Sequence, residues 1–381
     1  MPHGLRAWDR SQAAFDDFRS RSHFGALDGL RALSIMAVVW HHGPGARLGG
    51  ILGTGRRGVI LFFAISGFLI TTLLLREHDR HGSISLAGFY ARRALRIFPL
   101  YYGVLAVYTA LLLLTRTDAA AAQFFDNLPY FLTYTSNWYA RSGIFAFAWS
   151  LAAEEQFYCT WPSVIRYARP KRAIWFVVFL LLAALWWSAA GTPPLMRSSF
   201  VFRVLASVQM AICWGCLLAY LLHHRRGFHL AHVILGHRLA VPVIVLATLL
   251  TQLVPVRIAY GHFMLAALVG ACVVREDSWL APVLKWRPIV HIGVVSYGIY
   301  MLHGLVFNAL DLASPGLLGG WEPHSVSGFA VSMVLTTALA TLSFRYFEGP
   351  FLALKSRLAP SRTDSALPLA GAAAPPPPSI Q

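Results

Sequence analysis

LDGLRALSIMAVVWHH, from Leu27 to His42, is the first long apolar stretch of the chain, and it carries ionisable groups at both ends. The uninterrupted apolar run between Arg31 and His41 is too short to cross a bilayer, which takes about 20 residues of helix. A span here must therefore take in Asp28, Arg31, His41 and His42. An 11-residue step advances a helix by roughly three turns, a rise of ~16.5 Å, with about 20° of net rotation. Arg31 and His42 are thus expected on one face, nearer opposite ends. Charges in a span are costly and by default face a bundle interior, where they mark a functional path. The chemistry of the chain is expected along this face.

The rest of the sequence extends the same reading. It is 57% hydrophobic and 13% charged over 381 residues, against about 25% charged residues in soluble proteins. Only helices and closed barrels satisfy their backbone in lipid, and the apolar runs here are near-continuous rather than short and alternating. The expected fold class is all-α, a polytopic membrane helix bundle. Ten candidate spans can be drawn, at 24–43, 58–75, 97–115, 147–165, 173–190, 200–222, 239–254, 257–274, 289–310 and 325–344. With these spans, 23 of the 32 Lys+Arg fall on the side holding the N-terminal segment, the C-terminus and the loops after the even-numbered spans. Basic residues collect in cytoplasmic loops, so both termini are expected in the cytoplasm.

The same rule accounts for the net charge of +16. No basic and aromatic stripe accompanies it, so nucleic acid is not an expected partner, whereas the lipid bilayer is. The first apolar run lacks a small-residue cleavage site and is expected to stay as a helix. Cys159, Cys213, Cys216 and Cys272 all fall in predicted spans, so no disulfide framework is expected, and the Cys213/Cys216 pair reads as small residues on a helix face. Residues 1–22 are a polar segment suited to a short interfacial helix, 23–358 form the membrane domain, and 359–381 are a Pro/Ala-rich tail expected to be disordered. His223, His224, His229, His232 and His237 crowd the loop after the sixth span with no acidic or cysteine ligand beside them, and no metal site is expected.

Several polar groups in the spans carry candidate chemistry. His42 has the side chain whose pKa suits removal of a hydroxyl proton; the alternative is a histidine satisfied at a helix end. His41 points about 100° away and reads as structural. Arg31 is a permanent cation that can pair with Asp28 one turn earlier, hold a phosphate or polarise a carbonyl. Arg92, Arg93 and Arg96 cluster before the third span, where they serve either as a phosphate site or as ordinary positive-inside anchors. Glu154 and Glu155 are adjacent, so at most one is expected to face a site. Ser296, Tyr297, Tyr300 and His303 give the ninth span a polar face that binds a sugar or bridges helices. Glu348 fixes a helix terminus or pairs with an Arg.

The order of these features resembles the acyltransferase 3 family of bacterial integral-membrane O-acyltransferases. The matching stretches are LDGLRAL…HH (27–42), GVILFFAISGFLIT (58–71), FYARRALRIFPLYY (89–102), WSLAAEEQFY (149–158), GVVSYGIYMLH (293–303) and FEGP (347–350). Each is weak alone; six in order are highly specific. The resemblance implies a ten-helix domain of the inner (cytoplasmic) membrane and transfer of an acyl group, acetyl being expected, from acyl-CoA to a hydroxyl of an extracytoplasmic glycan or glycosylated small molecule. It implies His42 as base, with Arg31 and Glu154 as its catalytic companions. Arg92, Arg93 and Arg96 would hold the phosphates of acyl-CoA, which is a donor substrate rather than a bound cofactor. Asp28, Trp149, Ser150, Ser296, Tyr297, Tyr300 and His303 would contact the carbohydrate acceptor. Ile60 departs from the acidic or polar residue many relatives carry there. The rival class is a proton-coupled transporter, which also buries Arg, Asp, Glu and His; against it, the chain has no internal repeat and no paired broken helices.

Overall fold

The computed structural model describes residues 2–48, 55–115, 118–139, 142–190, 199–251, 258–316 and 321–358. The Pro/Ala-rich tail lies outside them. Among the described residues every regular element is helical. The first half of the chain forms α1 (Pro2–Ser20), α2 (Gly25–Trp40), α3 (Arg56–His81), α4 (Leu86–Thr115), α5 (Ala119–Leu132), α6 (Trp149–Ala168) and α7 (Pro170–Ala190). The second half forms α8 (Phe200–Ala206), α9 (Met210–His223), α10 (Arg225–Leu235), α11 (Ala240–Leu250), α12 (Ile258–Val274), α13 (Arg287–Val294), α14 (Ser296–Ala313), α15 (Val326–Leu342) and α16 (Gly349–Leu358).

Each span drawn from the sequence falls on a helix or a bent pair of helices. By length and apolarity, four helices qualify to cross a membrane: Arg56–His81, Leu86–Thr115, Pro170–Ala189 and Val326–Leu354. The number rises to seven if the bent pairs α8/α9 (58°), α10/α11 (73°) and α13/α14 (76°) each count as one span. These three broken pairs correct the reading of no paired broken helices, because near-continuous apolar runs hide short breaks such as 207–209 and Val295. The remaining candidates fall short for visible reasons. The regular helix α2 has 16 residues, and α6 carries Glu154, Glu155 and Arg166.

Local chemistry sets the helix ends. Asp118 caps α5 by accepting from the Ala121 amide at 2.9 Å, and Ser325 caps α15 by accepting from Gly328 at 3.1 Å. At the end of α3, Gly82 takes the left-handed conformation (φ 69°) that stops a helix cheaply only when no Cβ is present. The α3/α9 contact is close because glycines face backbone on both sides. A Cβ on Gly67 would overlap the Ile212 carbonyl, and one on Gly215 would overlap the Ala64 carbonyl. Cys213 and Cys216 are free thiols buried at this contact.

Buried apolar residues form two clusters. One joins α1, the start of α2, α3, α9 and α12; the other joins the second half of α2, α4, α5 and α14. A cavity lies where these clusters meet. The N-terminal segment is part of this packing, since Phe15 and Phe18 are buried against Phe228 of α10. The histidine-rich stretch read as a loop is the amphipathic helix α10, which α1 covers. There His223 pairs with Asp79 at 3.2 Å and His229 meets Ser11 Oγ at 2.9 Å.

A buried arginine latches the N-terminal segment to α3. Arg76 donates to the carbonyls of Phe18 and Arg21, both at 2.7 Å, with its guanidinium against the rings of Phe18 and Phe24. These bonds satisfy carbonyls that a helix C-terminus leaves open.

Candidate active site

A cavity of 170 Å³ opens between α2, α3, α4, α6 and α14, and Arg31, Arg93, Arg96, Glu154, Ser150 and Tyr300 line it. Ser22, His23, Phe24, Glu77 and Arg92 also line it. Arg92 pairs with Glu77 at 3.6 Å. Among the described residues, Arg31, Arg93 and Arg96 have no carboxylate oxygen within 4.0 Å. The Arg93 guanidinium lies 4.1 Å from the centroid of the Tyr158 ring. Arg31 donates from Nε to Ser296 Oγ at 3.4 Å. Three like charges around one cavity repel one another and favour an anion among them.

Glu154 is the acidic side chain of the cavity interior, and its Oε1 accepts from Ser66 and Tyr158 together. Glu154 and Tyr158 share a face of α6 at i, i+4 spacing. Ser66, on α3 inside the GVILFFAISGFLIT stretch, completes the clamp. Neither partner was singled out from the sequence, although the i, i+4 spacing was a usable signal for Tyr158. Glu155 is buried but does not line the cavity.

The cavity ends at a hydrogen-bonded cluster. Tyr300 donates from its hydroxyl to the Phe147 carbonyl at 2.8 Å, and Ser150 Oγ lies 2.6 Å from the Tyr300 oxygen. His303 stands one turn further along α14 and is 1% exposed. Its Nδ1 donates to the Tyr300 carbonyl at 2.7 Å, which fixes the tautomer and leaves Nε2 as an acceptor. The ring of His42 packs on that of His303 with centroids 4.8 Å apart.

The structure divides the Arg31/His42 face between two environments. Arg31 lines the cavity, whereas His42 does not. His42 stands 11 residues, about 16.5 Å of helical rise, beyond Arg31, where α2 stops at Trp40 and His41–Gly45 forms a wider turn containing Pro44 and a non-helical Gly43. A proline removes a backbone donor and breaks the helical register. The Val38 carbonyl, rather than Glu154, orients the His42 imidazole by accepting from Nδ1 at 3.0 Å, leaving Nε2 without a hydrogen-bond partner among the described residues. His324 supports the His42 backbone from behind. Its Nδ1 donates to the His42 carbonyl at 3.0 Å, its Nε2 meets Asp311 at 3.1 Å, and its ring stacks on Phe307.

The other predicted residues are more dispersed. Asp28 is buried off the cavity and pairs with His23 at 3.0 Å, not with Arg31. Trp149 packs on Phe63 of the cavity wall, and Tyr297 lines the cavity while donating to the Ile97 carbonyl at 2.7 Å. Ile60 does not line the cavity. Glu348 is buried and accepts from Ser343 at 3.3 Å.

A family model described as an acyltransferase domain matches residues 24–345. The chain is 27% identical to the peptidoglycan O-acetyltransferase OatA of Listeria monocytogenes over 87% of its own length and 56% of that protein. It is 28% identical to the putative peptidoglycan O-acetyltransferase YrhL of Bacillus subtilis over 85% of this chain and 54% of the relative. A putative O-acetyltransferase of Staphylococcus aureus is 27% identical over 88% and 58%. The chain thus spans about half the length of the curated relatives it matches. No solved structure matches it.

Proposed function

This chain belongs to the acyltransferase 3 family, and from that premise we propose that it is a multi-pass membrane O-acyltransferase that moves an acetyl group from a cytoplasmic thioester to a hydroxyl of an extracytoplasmic glycan. The observation that carries this reading is the cavity itself, with cations at one end and histidine-bearing packing beyond the other. Arg31, Arg93 and Arg96, free of carboxylate partners among the described residues, suit a phosphate-bearing donor, which we take to be acyl-coenzyme A. The relatives' names point to peptidoglycan as the acceptor glycan.

The proposed orientation places both termini and the arginine end in the cytoplasm, across ten spans of the inner membrane. The bias of Lys and Arg toward that side supports it. The donor enters past Arg92 and reaches toward Tyr300. His42 Nε2 takes the proton of the acceptor hydroxyl as its oxygen attacks the acyl carbon. The carbon–sulfur bond then breaks, and the thiolate leaves and recovers the proton from the imidazolium. Arg31 or a hydroxyl of α14 stabilises the developing oxyanion. Glu154, held by Ser66 and Tyr158, faces the donor side of this arrangement. Asp28 braces the start of α2 through His23.

The test is ester formation by the purified chain in vesicles, with acetyl-coenzyme A on the arginine side and cell-wall glycan fragments on the other. Acetyl esters on the glycan, matched by free thiol, are expected. Solute uptake by the same vesicles with no ester from any donor and glycan pairing would contradict the reading and favour the transporter class.

A further inference from the structure

In this structure the cavity stops short of His42. Along α14 the cavity touches Ser296, Tyr297 and Tyr300 but not His303, the next residue on that face. Along α2 it touches Leu27 and Arg31 but not His42. Three residues of α14, about 4.5 Å of rise, therefore separate Tyr300 on the cavity wall from the side chain that meets His42. Phe147 occupies this layer. Its ring lies 5.6 Å from that of Tyr300 and 5.2 Å from that of His303, centroid to centroid. Its carbonyl is the acceptor for the Tyr300 hydroxyl.

The segment carrying Phe147 is held in unusual backbone geometry. Gly143 has φ 99°, and Phe145, which has a Cβ, sits in the left-handed region at φ 66°. Left-handed backbone at a non-glycine residue costs on the order of 1–3 kcal/mol and persists only where its surroundings impose it. Here the buried Phe145 ring is wedged among Tyr101, Tyr108 and Phe131. The single turn Ala146–Ala148 then places Phe147 behind Tyr300, against His303. Its carbonyl is held by Tyr300, by Ser150 Oγ at 3.3 Å and by the Trp149 amide, whereas its side chain is held by ring packing on Phe145, Tyr300 and His303, so rotating the ring breaks none of these hydrogen bonds.

We infer that Phe147 is a specificity-determining residue: with Tyr300 and Ser150 it closes the donor cavity from the His42 side until a bound acceptor displaces the ring, so that the acyl carbon is opened to an acceptor hydroxyl and not to water. The inference rests on the proposed donor reading for its consequence but not for its geometry. Without the seal, water reaches the thioester. Its oxygen bonds to the acyl carbon, the carbon–sulfur bond breaks, and free acid and thiol result with no glycan required. The choice of acceptor over water is thus set by a ring outside both the cationic cluster and the histidine pair.

The primary test does not need activity. With Cys159, an exposed thiol, replaced by serine, Ser66→Cys places a thiol on the cavity wall. A membrane-impermeant maleimide is then applied from the His42 side of sealed vesicles. Labelling is expected to be slow with Phe147 present and at least tenfold faster with Phe147→Ala. Equal rates in two folded proteins would overturn the seal. Tyr300→Phe keeps both rings and deletes only the latch hydroxyl. It is expected to give an intermediate rate and serves if Phe147→Ala fails to fold. In chains without the Ser66 change, Phe147→Ala is expected to raise acceptor-independent thiol release from acetyl-coenzyme A tenfold, with donor KM within twofold of the parent. Faster labelling with no thiol release from any chain would support the seal and contradict the donor reading.

Discussion

At the scale of single residues, the division of labour follows which charged groups have partners. Arg92 already faces Glu77, whereas Arg93 and Arg96 turn into the cavity with no carboxylate at ion-pair distance among the described residues. Replacing Arg93 and Arg96 together by alanine is therefore expected to raise donor KM tenfold or more while leaving acceptor KM within twofold, since each charged hydrogen bond contributes about 1.5–3 kcal/mol. Steady-state kinetics against each substrate in turn checks this. An unchanged donor KM would return the pair to a positive-inside role. The ionisable positions of this cluster were legible in the sequence because charges in apolar runs stand out. Their partners were not. Ser66 and Phe147 look like ordinary residues of a lipid helix and a loop, and only the fold brings them to Glu154 and Tyr300.

At the scale of elements, close packing and the N-terminal latch are both testable. Gly67 and Gly215 let α3 and α9 approach until backbone meets backbone. Gly67→Ala is expected to destabilise the protein by about 1–3 kcal/mol through overpacking. Gly261→Ala, where nothing lies within 4 Å of an added Cβ, should be neutral or stabilising, because glycine in a helix costs about 0.5–1 kcal/mol relative to alanine. Thermal melting in detergent should lower the midpoint for Gly67→Ala and leave it unchanged or raised for Gly261→Ala. The connection between α1 and α2 is fastened partly by His23, which the hydrogen bond to Asp28 holds above the ordinary histidine range. The protonated form is favoured on folding, so this stabilisation is complete below about pH 6.5 and fades as pH rises through the raised value. The midpoint difference between the parent and His23→Gln is expected to shrink as pH goes from 6 to 9; a constant difference would show that His23 acts without its charge. Helix positions were readable from apolar periodicity. The break of α2 at His41–Gly45 was not, although Pro44 signalled it.

At the scale of the whole molecule, the sequence pattern gives an all-helical chain with basic residues gathered on one side, and the helices fall where the apolar runs predicted them. The cavity was not visible at that level, because its walls come from five helices far apart in the chain. A reporter fused after α16 is expected to be active in the cytoplasm; an extracytoplasmic signal would break the proposed ten-span topology. The central claim is that a thioester bound at the arginine end is resolved by an acceptor hydroxyl with His42 as base. The measurement that bears on it most directly is thiol release from acetyl-coenzyme A by the purified protein beside its folded His42→Ala variant, each with and without a glycan acceptor. The account predicts release that depends on the glycan and falls by about 10²–10⁴ in the variant, the range that general-base catalysis supplies. Glycan-dependent release within a few-fold of the parent in His42→Ala would contradict it.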